Sequence, residues 1–193
     1  MSVPSLHSTA IADVAPPERL VRQGALVIGA SLSIGLAAQV ALPLPFTPVP
    51  ATLQTFAVLL VGLVLGSRLG ALAVLAYLGE GLVGLPVFAG GATGQSKLVG
   101  PTGGYLAGFV LAAFVVGLLA ERGWTKRRLS TLGALLIGHA VIYTCGVTIL
   151  AAFMPWRLAL VQGVLPFLPG EAIKSAAVVS ALPWAVARFG RAR

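Results

Sequence analysis

Apolar residues in this chain come in long runs rather than in strict alternation. The runs cover about residues 24–42, 51–66, 69–85, 103–120, 129–153 and 171–187. A membrane-crossing helix needs about 20 mainly apolar residues, whereas strands of a membrane barrel read as alternating segments of about 10. The runs therefore predict six helices. Their separators differ in kind. Residues 43–50 hold four prolines and cannot form a helix interior. Ser67-Arg68 ends the second run, and Pro86 ends the third. A glycine-rich connection follows at 87–102, and a basic loop at 121–128. The stretch 154–170 is a connection with an apolar middle, read as a short interfacial helix.

Composition turns these runs into a class. Hydrophobic residues make up 58% of the 193, and the 24 glycines raise the apolar share to about 70%, against roughly 45–50% in soluble domains. Charged residues are 9%, against about 25%. These values exclude a soluble globular domain and intrinsic disorder. The expectation is an all-α integral membrane protein with six transmembrane helices. Residues 1–23 read as a cytoplasmic N-terminal tail, 24–187 as one transmembrane domain, and 188–193 as a basic cytoplasmic C-terminal tail. The first 23 residues lack the apolar core of a signal peptide.

A net charge of +8 would suggest nucleic acid in a soluble protein, but here it reads as topology. Six spans put Arg19, Arg22, Arg68, Arg122, Lys126, Arg127, Arg128, Arg188, Arg191 and Arg193 on one side, leaving Lys97, Arg157 and Lys174 on the other. That asymmetry fits the positive-inside rule, with both termini cytoplasmic. The prolines segregate the opposite way: nine of the 13 fall in the three outer connections. Irregular backbone at membrane depth is tolerated where it is buried in protein or lines a cavity. A ligand pocket on the outer face is therefore expected, although prolines also terminate helices at an interface.

Glu171 and Lys174 follow Pro169-Gly170 at the outer start of the last span, on one helix face. Ionisable groups there are costly and often functional. The ammonium could pair with a ligand carboxylate and the carboxylate with ligand N–H groups. Spacing alone equally allows a mutual salt bridge, with Glu171 favoured by the helix N-terminus. Thr52 and Gln54 open the second span and could line the pocket or cap the helix. Tyr77, Phe88, Tyr105 and Tyr143 could supply aromatic walls, or anchor and pack, while Trp156 and Trp184 read as interface anchors. Glu80 reads as a further pocket group or a partner for Lys97. His139 reads as an interhelical hydrogen-bonding residue and Cys145 as a small packing residue.

Small residues recur at four-residue spacing as Ala25, Gly29, Ser33 and Ala37; Gly62, Gly66 and Gly70; and Gly100, Gly104 and Gly108. Such stripes let helices approach closely. All three suit packing within the bundle, and the first could instead dock a partner membrane protein. Residues 79–84 match the glycine fingerprint of dinucleotide sites, but they lie in a span and not between a strand and a helix. The chain has no P-loop, so ATP-driven work in that manner needs another subunit.

Four collinear motifs then carry a family resemblance. They are Phe-Thr-Pro-Val-Pro-Ala-Thr-Leu-Gln-Thr-Phe-Ala-Val-Leu-Leu at 46–60, Gly-Leu-Pro-Val-Phe-Ala-Gly-Gly at 84–91, Gly-Pro-Thr-Gly-Gly-Tyr-Leu at 100–106, and Pro-Phe-Leu-Pro-Gly-Glu-Ala-Ile-Lys at 166–174. Over about 24–187 the chain resembles the BioY family, the biotin-binding S components of energy-coupling factor (ECF) vitamin transporters. The resemblance implies the six-helix S-component fold with an outward-facing biotin site and no cofactor. It also implies a transmembrane T component and two cytoplasmic ATPases as partners in a prokaryotic cell membrane. It carries vitamin contact onto Glu171 and Lys174, although the family more often has Asp at the former position. Thr52, Gln54, Tyr77, Phe88, Gly91, Tyr105 and Tyr143 complete the candidate set. The Pro-rich segment 43–54 would gate the site, and Ala25, Gly29, Ser33 and Ala37 would dock the T component.

The leading expectation is thus a biotin-uptake subunit that performs no chemistry on the vitamin. The alternatives are an S component for another vitamin, a polytopic membrane enzyme, or a scaffold subunit. No paired acid–base or metal constellation supports the enzyme.

Overall fold

The structure is a computed structural model, and it describes residues 16–189. The expected tails therefore lie largely outside the described residues, Arg191 and Arg193 among them. The elements run α1 (Pro17–Gln39), β1 (Ala41–Leu42), β2 (Ala51–Thr52), α2 (Gln54–Leu82), α3 (Gln95–Val99), α4 (Gly103–Glu121), α5 (Arg128–Leu150), α6 (Trp156–Gly163) and α7 (Leu168–Phe189). Single 3-10 turns lie at Ala89–Gly91 and Trp124–Lys126. Five helices, α1, α2, α4, α5 and α7, are long and apolar enough to cross a membrane.

The expected second and third spans are joined without a loop inside α2. Gly66 interrupts the helix with φ 84° and ψ −178°. Only glycine adopts that conformation without strain. The chain doubles back there: a Cβ on Gly70 would lie 2.9 Å from the Cα of Gly62, a pair about 12 Å apart on a straight helix. Glu121, at the end of α4, accepts hydrogen bonds from the Ser67 N–H at 2.7 Å and from its hydroxyl at 3.0 Å. It thereby satisfies donors at the start of the returning helix. A Cβ on Gly62 would sit 2.6 Å from the carbonyl oxygen of Ala113, so α2 and α4 approach almost backbone to backbone. The glycine stripe at 62, 66 and 70 is therefore packing, as expected. Gly104 and Gly108 likewise face α5 at Cys145, Ile149 and Ile142.

These close approaches make α2 and α4 the centre of the bundle. About two thirds of the most apolar window of α2 is buried, and 61% of that of α4, against 17% for α1 and α7. The perimeter is apolar as well: Leu36, Leu129, Leu136 and Ile173 are all at least 70% exposed. Only a hydrocarbon solvent accommodates such a rim around a packed core.

Several boundaries differ from expectation, among them the start of α2 at Gln54 rather than 51, because Ala51–Thr52 form β2. α1 begins at Pro17 rather than at 24, because proline at the first helical position loses no hydrogen bond and has its φ preset. α7 begins at Leu168 rather than at 171, with the Glu171 N–H donated to the Phe167 carbonyl at 2.9 Å. The third expected span stops at Leu82, before Pro86, and Gly84 then takes φ 100°. The connection 154–170 does contain a short helix, α6.

A flap closes one end of the bundle. β1 and β2 pair antiparallel, Ala41 opposite Thr52 and Leu42 opposite Ala51, and cinch the Pro-rich segment between them into a loop. Gln39, at the end of α1, donates from its side-chain amide toward the carbonyls of Pro86, Val87 and Phe88, at 3.3–3.4 Å. The glycine-rich connection is tethered beside the flap as a result.

Candidate functional site

Glu171 sits in the first turn of α7 and is only 6% exposed. A carboxylate this deep needs partners on every side, and three elements supply them. From its own helix, Lys174 Nζ lies 2.9 Å from Oε1. From α2, the Thr55 hydroxyl reaches both carboxylate oxygens, at 3.0 and 2.9 Å. From α5, His139 Nε2 lies 2.8 Å from Oε2. The Lys174 ammonium is itself fully engaged: it donates to Thr55 Oγ1 at 3.1 Å and to the Thr52 carbonyl at 2.6 Å. That last bond ties α7 to the base of the flap. Of the alternatives open by spacing, the mutual salt bridge is formed, and Glu171 also faces a cavity.

Glu171 and Thr55 of this cluster line a cavity of about 70 Å³. Val49, Pro50 and Thr52 of the flap roof it, and Gln54 and Thr55 face it from α2. Phe88, Ala89 and Lys97 enter from the glycine-rich connection. Thr102, Tyr105, Leu106 and Phe109 come from α4, Ile142 and Tyr143 from α5, and Phe167 from the turn before α7. The aromatics are mutually braced. Tyr143 meets Tyr105 edge-on at 6.3 Å and stacks toward Phe167 at 6.4 Å and His139 at 6.5 Å. The Tyr105 hydroxyl donates to the Gly163 carbonyl of α6 at 2.9 Å.

Of the sequence-derived candidates, Glu171, Thr52, Gln54, Phe88, Tyr105 and Tyr143 line the cavity, and Lys174 stands behind Glu171 and Thr52. Tyr77 does not line it. Tyr77 is fully buried, accepts a 2.7 Å hydrogen bond from the Gln54 amide and packs edge-on against Phe88 at 5.5 Å. Gly91 is exposed in its 3-10 turn and does not itself line the cavity, although its N–H donates to the carbonyl of lining Phe88 at 3.0 Å. Glu80 turns to α1 instead of Lys97, with Oε1 2.6 Å from the hydroxyl of buried Ser31. The fully buried α2–α1 seam offers that serine, while Lys97 lies across the connection at the cavity.

His139, Thr55, Lys97 and Phe167 are the site residues that sequence reasoning left off its list. His139 was expected to bond between helices and does so, but its partner is the site carboxylate. Thr55 had a signal: it shares the α2 first turn with Gln54.

A second recess lies at the far end of the same helices. It is an apolar groove of about 410 Å³, bounded by Ala25, Gly29 and Ser33 of α1, by Leu60, Val61, Val64 and Leu65 of α2, and by Trp184 and Phe189 of α7. Ala37 of the α1 stripe lies outside it. Trp156 and Trp184, at 61% and 68% exposed, stand on the perimeter.

Fold and site together define a polytopic helical membrane protein with a buried, charged cluster beneath an aromatic-walled cavity. The comparisons give that class a family. The BioY family model matches residues 7–191, and the chain belongs to the BioY family. It is 44% identical to the biotin transporter BioY of Thermotoga maritima, over 81% of this chain and 85% of that one. It is 41% identical to a probable biotin transporter BioY of Pyrococcus horikoshii, over 79% and 83%. A solved structure of the S-component for biotin from an ECF-type ABC transporter superposes with a TM-score of 0.79 at 26% identity, covering 88% of this chain and 93% of that one.

Proposed function

We propose that this chain binds biotin and mediates its uptake across the prokaryotic cell membrane as the S component of an ECF transporter. The observation that carries the proposal is the Glu171–Lys174–Thr55–His139 cluster under aromatic walls, in a chain of the BioY family. Biotin offers an anionic carboxylate, a ureido ring with N–H donors and an apolar bicycle. Lys174 would take the carboxylate, Glu171 would accept from the ureido N–H groups, and Tyr105, Tyr143, Phe88 and Phe167 would hold the bicycle. Thr52 and Gln54 would supply further polar contacts, Gly91 a backbone contact, and Tyr77 would act through Gln54.

A cavity of about 70 Å³ is well below the roughly 300 Å³ at which small-molecule pockets begin. Biotin would therefore enter by lifting the flap, breaking the Lys174–Thr52 bond as its carboxylate replaces that carbonyl. The bundle would cross the membrane six times, α2 counting twice across Gly66, with both termini cytoplasmic. A T component would dock on Ala25, Gly29, Ser33 and Ala37, and two cytoplasmic ATPases would supply the energy. The chain itself would catalyse nothing.

Titration calorimetry of biotin into purified, ligand-stripped protein in detergent tests the reading, with thiamine as the comparison. Tight one-to-one binding of biotin alone is the expected result. Heat with thiamine alone would reassign the vitamin, and no heat with either, on folded protein, would remove the function.

A further inference from the structure

The hydrogen bonds of His139 fix a proton count. Its Nδ1 lies 2.8 Å from the Leu135 carbonyl, which can only accept, so Nδ1 carries hydrogen. Its Nε2 lies 2.8 Å from Glu171 Oε2. A neutral imidazole already protonated at Nδ1 has only a lone pair at Nε2, and a carboxylate oxygen has only lone pairs. Two acceptors do not meet at that distance, so one further proton lies between them. Whether it rests on the imidazole or the carboxyl, the His139–Glu171 pair is neutral as a unit. Lys174 then keeps a positive charge that its neighbour does not cancel. Without that proton, Glu171 and Lys174 would form a closed ion pair with nothing left over for an anion. Lys97 lines the same cavity from the connection before α4 and adds its own charge.

We propose that His139 is a positioning and specificity residue: by sharing one proton with Glu171 it makes the pair neutral as a unit and leaves the Lys174 charge for the carboxylate of the ligand. This inference rests on the biotin reading above.

The test compares biotin with its carboxamide, identical but for the charged tail, by calorimetry on three proteins. Wild type should prefer the acid. His139→Gln keeps an N–H donor toward Glu171 but brings no ionisable proton. It should lower the acid-over-amide affinity ratio roughly tenfold, the scale of one hydrogen bond to a charged group. His139→Gln combined with Glu171→Gln removes the uncancelled carboxylate and should restore the acid-over-amide ratio, whatever it does to absolute affinity. An unchanged ratio in His139→Gln would overturn the inference, as would an equal loss for both ligands, which marks a merely structural histidine. Failure of wild type to bind biotin at all is a different result and would break the functional reading itself.

Discussion

The two recesses of this molecule lie at opposite ends of its long helices and are built from opposite chemistry. On α2, Thr55 belongs to the cavity and Leu65 to the groove; on α7, Glu171 belongs to the cavity and Trp184 to the groove. Those intervals correspond to about 15 and 20 Å along the helices. The cavity end is held by directional bonds to a buried carboxylate and ammonium. The Lys174 ammonium, the Thr55 hydroxyl and the His139 imidazole each have stated partners, so the geometry of the cluster tolerates little change. The groove end is lined mainly by Ala, Gly, Leu and Val, with Ser33, Trp184 and Phe189 beside them, and a Cβ on Gly29 would meet nothing within 4 Å. The first arrangement suits recognition of one ligand by charge and hydrogen bonding. The second presents shape to whatever helix or lipid covers it. Substitutions at the two ends should therefore affect different measurements.

The largest effect on binding is expected at Lys174. Lys174→Ala removes the ammonium, its bond to the flap at Thr52 and its contact with Glu171. Truncating one partner of a buried charge pair costs about 2–5 kcal/mol, so biotin affinity should fall roughly a hundredfold or more. Calorimetry reporting wild-type affinity would move the ligand away from this cluster. A smaller effect is expected at Thr55. Thr55→Val conserves shape and deletes the hydroxyl that bridges Glu171 and Lys174. Loss of such a hydrogen bond costs about 1–1.5 kcal/mol, and affinity should drop about tenfold. A loss as large as that of Lys174→Ala would mean that Thr55 contacts the ligand itself.

The groove-side prediction depends on features the sequence displays openly, and the cavity-side ones only partly do. Spans, stiff outer connections and the Glu171–Lys174 pair follow from apolar runs, proline positions and i,i+3 spacing, all of them local. The α1 stripe is legible for the same reason. His139 is not, because it stands alone in an apolar run. Its meaning comes from Glu171, 32 residues away in the chain and adjacent only once α5 and α7 pack. Tyr77 shows the converse failure. Its aromatic character near a span end suggested a wall, but which face of α2 turns inward depends on the reversal at Gly66, and the ring lies behind Gln54. Charge and position read Glu80 as a pocket group or a partner for Lys97, whereas the doubled-back half of α2 presents it to Ser31.

The smallest expected effect on affinity is also the sharpest test of the division between the two ends. Gly29 lies on α1, the helix tied with α7 for the least buried, and open space surrounds the position its Cβ would take. Gly29→Leu should fold normally, since a helix interior gains from replacing glycine and the new Cβ meets no neighbour. Biotin affinity of the purified subunit should stay within about twofold, because no cavity residue lies on α1. Uptake by cells carrying the complete transporter is a different matter. A branched side chain in a small-residue stripe prevents the close helix approach that such stripes permit, so transport should fall severely while binding persists. Transport at the wild-type rate would remove the stripe as the docking surface. A parallel loss of affinity would show that the two ends are mechanically coupled through α2, and that separating them into recognition and docking is wrong.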